Sequence, residues 1–187
     1  MSDRTRATRV ALRWLQAAAK GPDDLPEGWY VEAAWVGSSR VFILRDERGK
    51  ENAYIRGTGP PTACGGAFIV MASAAKSGWG PMMYDLLMEF AGSGGIMADR
   101  QQVTDSAAEV WFYYLRNRRN DVRAHPLWDD PNIRDDHACG YHYPDDSGPG
   151  AREALDFRFV KADRNITRTL QAKGLLLEGG KRRAETR

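Results

Sequence analysis

Residues 64–90, CGGAFIVMASAAKSGWGPMMYDLLMEF, decide the fold. Ala67 to Met71 is an unbroken apolar run, the pattern of a strand covered on both faces. Residues 76–80, KSGWG, interrupt it, and Pro81 stands at the start of a helix, where its missing N–H would have had no partner anyway. Met83, Leu86, Leu87 and Phe90 then recur at i, i+3, i+4 and i+7, one face of an amphipathic helix. A strand that hands a glycine turn to a helix N-terminus presents backbone N–H groups and the positive end of the helix dipole together, a cradle for phosphate. The same pattern also suits an ordinary strand–turn–helix unit. It is not a P-loop, because no Gly-Lys-Ser/Thr follows, and Met83 occupies the third glycine's place in a dinucleotide fingerprint.

Outward from this unit the elements alternate. On the N-terminal side, 57–61 (GTGPP) is a rigid connection, and 29–36, 40–45 and 51–56 read as strands joined by hairpin turns at 37–39 and 46–49. A basic helix is expected over 4–19, with Val10, Trp14, Leu15 and Ala18 on one side. On the C-terminal side, a short strand at 96–98 precedes a helix over 104–117 with Thr104 as its N-cap. A strand is expected at 121–124, an acidic, irregular excursion at 125–150, a strand at 155–160, a helix at 164–173 and a tail at 175–187.

Composition bounds the rest. With 187 residues, 42% hydrophobic and 10% aromatic, a single globular domain over 1–187 is expected. A net charge of +2, from 27 basic and 25 acidic residues, is too small to imply a nucleic-acid partner. Basic residues crowd both ends (Arg4, Arg6, Arg9, Arg13; Lys181, Arg182, Arg183), the usual mark of solvated faces or tails. Cys64 and Cys139 make no disulfide framework, and neither a signal-like core nor a spanning apolar run is present. The expectation is a cytoplasmic protein with no membrane partner. The cluster His137, Cys139, His142 matches no common zinc spacing, so no metal is expected. No G-x-S-x-G hydrolase elbow exists.

The order of elements, with residues 67–91 (AFIVMASAAKSGWGPMMYDLLMEFA) and 95–118 (GIMADRQQVTDSAAEVWFYYLRNR), resembles the GNAT superfamily of N-acetyltransferases, and within it the phage-encoded GNAT-like proteins of unassigned substrate. The resemblance implies an α+β, GNAT-like fold: a central, mostly antiparallel mixed sheet flanked by helices on both faces. It implies transfer of an acetyl group from acetyl-CoA to a primary amine on a protein, a small molecule or a modified nucleobase, in the host cytoplasm or with the virion. The first stretch is similar to the family's Gln/Arg-x-x-Gly-x-Gly/Ala motif, with Gly78 and Gly80 on the small positions. By that resemblance acetyl-CoA is held by Val70, Met71, Ala72, Lys76, Ser77, Gly78, Trp79, Gly80 and Met82. Two departures stand out. Ala75 replaces the Gln/Arg, leaving Lys76 or Ser77 to substitute. Trp111 replaces the tyrosine that serves as general acid, and an indole N–H cannot supply that proton. Tyr114 and Tyr113 are the nearest replacements, and Glu32 and Asp99 the nominated bases. The same departures suit a second expectation, a GNAT-like binding or virion-associated module without catalysis.

Overall fold

The structure, a computed structural model, describes residues 19–59, 64–76, 78–100, 102–129 and 151–179. Three antiparallel strands open it: β1 (Tyr30–Val36), β2 (Ser39–Arg45) and β3 (Glu51–Thr58). β4 (Phe68–Ala75) continues the meander against β3, and α1 (Gly80–Ala91) carries the chain to β5 (Ile96–Ala98), parallel to β4. Next come α2 (Asp105–Asn117), β6 (Val122–Pro126), β7 (Phe157–Lys161), α3 (Asn165–Ala172) and β8 (Leu176–Glu178). All eight strands form one mixed sheet in the order β6-β7-β5-β4-β3-β2-β1-β8. The chain is thus an α+β fold.

One face of the sheet carries the core. Val31, Ala33, Phe42, Leu44, Ile55, Val70, Ile96 and Phe159, all buried, follow the two-residue period of their strands onto that face. α1 lies across it with Leu86, Leu87 and Met88 almost wholly buried. The approach is close: a Cβ on Gly57 of β3 would meet Leu87 Cδ2 at 2.7 Å. α2 docks beside α1, stacking Trp111 on Phe159 of β7 at 5.4 Å between ring centres. α3 is tied to α1 through Glu89, which accepts from the N–H groups of Ile166 (3.1 Å) and Thr167 (2.7 Å) and from the Thr167 hydroxyl (2.7 Å). Lys161 of β7 completes that buried node, with its Nζ 2.5 Å from Glu89 Oε1. A smaller cluster of Cys64, Ala67, Met97 and Leu127 forms a second core, with Ile69 packed against it.

Several expectations are corrected. Among the described residues the three helices cover one face of the sheet rather than both; the helix expected at 4–19 lies outside those residues, as do most of 125–150 and the end of the tail. β4 runs four residues beyond Met71, and its second half is largely exposed instead of covered on both faces. The small side chains of 72–75 allow this, because β3 alone supplies their ladder. Leu155 belongs to a 3₁₀ turn (Ala151–Asp156), so the strand begins at Phe157, and β6 extends to Pro126. β8, expected as tail, pairs in parallel with β1, Val31 opposite Leu176. Cys64 is wholly buried and disulfide-bonded, so the cysteine usage no longer argues for a reducing compartment. No helix among the described residues is long and apolar enough to cross a membrane.

Candidate functional site

β5 pairs with β4 only through Phe68, Ile69 and Val70, whereas β3 stays with β4 as far as Ala75. From Met71 onward, therefore, one edge of β4 has no strand beside it among the described residues. The hydrogen-bond phase identifies which groups are left open. The Lys76 N–H donates to the Asn52 carbonyl at 2.9 Å, so residues 76, 74 and 72 turn their backbone groups toward β3. Those of Ser73 and Ala75 turn toward the vacant edge.

A cleft of about 400 Å³ occupies this opening. Its first wall is β4 itself, with Ser73, Ala74 and Ala75. The second is the turn and first residues of α1, with Gly78, Gly80, Pro81, Met83 and Tyr84. The third is the start of α2, with Thr104, Ser106, Ala107 and Val110, and Tyr54 of β3 closes the fourth side. Gly78 has φ +90°, a backbone state that L side chains rarely adopt, so the turn requires glycine there. Thr104 caps α2, its Oγ1 accepting from the Ala107 N–H at 3.3 Å. α1 has no side-chain cap: its helical ladder begins where the Met83 N–H donates to the Trp79 carbonyl at 3.3 Å, which leaves the Gly80 and Met82 N–H groups without helical partners. The uncapped positive end of α1 thus borders the cleft.

The cleft reaches both faces of the sheet. Ser73 lies opposite Ile55 on the helix-covered face, where its Oγ is 3.0 Å from the Tyr84 hydroxyl. The Tyr84 ring is held edge-on by Trp111 at 5.3 Å, and burial raises its pKa, outweighing the opposing hydrogen bond from Ser73. Ala74 lies opposite Tyr54 on the other face. There the Lys76 Nζ donates to Asn52 Oδ1 at 2.5 Å, and Asn52 is itself buried with its amide nitrogen donating to the Lys50 carbonyl. Lys76 is the one charged residue lining the cleft among the described residues.

Of the residues nominated for acetyl-CoA, Lys76, Gly78 and Gly80 line this cleft. Ser77 lies outside the described residues. Val70 is buried against β5, Met71 is half exposed on β4, Ala72 is half-buried, and Trp79 and Met82 are core residues. The nominated acids and bases stand elsewhere. Tyr114 is wholly buried behind α1, its hydroxyl 2.9 Å from Asp85 Oδ1 and 3.0 Å from the Pro81 carbonyl. Burial, then the Asp85 charge, hold its pKa well above 10. Tyr113 packs edge-on against Tyr114. Glu32 sits on β1, three strands from β4, in an ion pair with Arg45 at 2.5 Å. Asp99 follows β5 and accepts from the Gln102 N–H at 3.4 Å. None of the four lines the cleft.

Tyr84, Ser73 and Tyr54 were missed by sequence. For Tyr84 a signal existed, a phenol in an otherwise apolar first turn after Pro81; for Ser73 and Tyr54 none did, since only strand register brings them to the opening. Among the described residues no group of three or more His, Cys, Asp or Glu could hold a metal ion, and the His137–His142 cluster lies outside them. No protein-family model, curated protein or solved structure matches the chain.

Proposed function

We propose that this chain is a GNAT-like N-acyltransferase that uses acetyl-CoA to acylate a primary amine. The observation that carries the proposal is the parting of β4 from β5 after Val70, directly beside the uncapped N-terminus of α1. The residues present fit such a co-substrate: the backbone groups of Ser73 and Ala75, which no described strand pairs, suit an extended, amide-bearing arm, and the Gly80 and Met82 N–H groups suit phosphate oxygens. The meander leading into a parallel β4–β5 pair, crossed by α1, also supports the resemblance.

Acetyl-CoA, when bound, supplies the acyl group as an activated thioester. The chain's own part is to orient and to move protons. Burial keeps Tyr84 protonated through the neutral pH range, so its hydroxyl is a proton donor at the cleft floor. Ser73 is within hydrogen-bond reach of it and can return a proton given up by the amine. The phenol would thus come from α1, in place of the one that Trp111 displaces on α2. A specific observation favours the second reading, a binding module without catalysis: no carboxylate lines the cleft among the described residues, so no side-chain base is at hand.

Ala107→Glu tests the cofactor site. In the first turn of α2 an added carboxylate suits the helix dipole and leaves the fold intact, but it puts a negative charge and bulk into the cleft. Calorimetry should show micromolar acetyl-CoA binding by the wild-type protein and loss of at least tenfold in the variant. A wild-type protein that does not bind acetyl-CoA sinks the proposal.

A further inference from the structure

The cleft has two mouths of different character. On the helix-covered side lie the α1 N-terminus and the Ser73–Tyr84 pair. On the other side lie Tyr54 and Lys76, with Asn52 beneath them. Lys76 is exposed, yet its ammonium is fixed by a side chain that is 5% exposed and is itself anchored to the Lys50 carbonyl. The fixing partner is a neutral amide. Among the described residues no carboxylate pairs directly with Lys76; the Asp46 carboxylate interacts with the far side of the Asn52 amide. Glu32, the acidic side chain in the same cross-strand row as Ile43 and Tyr54, is already taken by Arg45. An oxyanion would find here a held cation and, in Tyr54, a phenolic donor.

We infer that the outer mouth, built from Lys76, Asn52 and Tyr54, binds an oxyanion of the acyl acceptor, which is therefore an amine bearing a phosphate or a carboxylate. This rests on the proposed acyl transfer for the identity of the acceptor, but the anion site itself does not. The oxyanion could instead belong to acetyl-CoA. The geometry favours the acceptor, because the α1 N-terminus that suits the CoA phosphates is on the opposite face of the sheet. Asn52 acts here as a positioning residue, through Lys76.

The experiment is calorimetry of two matched pairs, 2-aminoethyl phosphate against ethanolamine and β-alanine against propylamine, on the protein alone and saturated with CoA. Wild type, Lys76→Met and Asn52→Leu are compared, and CoA and phosphate-free pantetheine are titrated into each. The inference expects the anion-bearing member of each pair to bind at least tenfold more tightly, the preference to vanish in Lys76→Met and to weaken in Asn52→Leu, and CoA affinity to change less than twofold. A loss of CoA affinity with pantetheine unaffected assigns Lys76 to the CoA phosphates and overturns the inference while leaving the acyltransferase proposal standing. Equal or absent binding of the paired amines also overturns it. Anion preference without any CoA binding upholds the outer site and removes the acyltransferase proposal.

Discussion

Lys161→Met probes the node that joins α1, β7 and α3. Lys161 and Glu89 are buried to within a few per cent, and the ammonium also donates to the Asp163 carbonyl (3.0 Å) and to Asn165 Oδ1. Methionine keeps an unbranched chain one atom shorter and removes the charge, leaving a carboxylate in the core with three remaining donors from Ile166 and Thr167. Removing one partner of a buried pair costs about 3–5 kcal/mol; the surviving donors place this case near 3 kcal/mol. Against a total stability on the order of 5–15 kcal/mol, that is a large fraction. In urea, with m roughly 2 kcal/mol/M, the midpoint should fall by about 1.5 M at constant m. The double variant Glu89→Gln/Lys161→Met keeps an acceptor for the start of α3 and removes the orphaned charge. It should recover about 1–2 kcal/mol relative to Lys161→Met. A single-variant cost below about 1 kcal/mol, or a double variant no more stable than the single, would refute the reasoning that the charge, not the packing, carries the cost.

Tyr84→Phe should leave acetyl-CoA affinity within about twofold while slowing transfer by roughly 10²-fold or more, measured as CoA release with an accepted amine; an unchanged rate removes Tyr84 from the chemistry. Asp85 has a carboxyl raised by burial, only partly offset by Arg118 and the Tyr114 hydroxyl. Its folded pKa lies above the unfolded value of about 3.9, so its contribution is present below that value and is lost as pH rises through the folded pKa. The stability of wild type minus that of Asp85→Asn should therefore fall as pH rises above about 4, and a difference that grows with pH there contradicts the burial argument.

Sequence alone determined the strand–turn–helix unit, the meander before it and the second amphipathic helix, because each declares itself in local periodicity and in the residues that stop it. Pro81, Gly78 and Thr104 mark their positions through backbone constraints that need no neighbour. The cleft was legible only in its turn. Where β4 loses β5, which of its backbone groups fall open, and that Ser73, Tyr84, Tyr54 and Lys76 meet around that edge depend on register between strands distant in sequence. Tyr114 reads as a candidate acid on a helix face, but tertiary packing places its hydroxyl against Asp85 and Pro81, away from the opening. β8 shows the same limit: three residues carry almost no periodic signal, and only the unpaired edge of β1 makes them a strand.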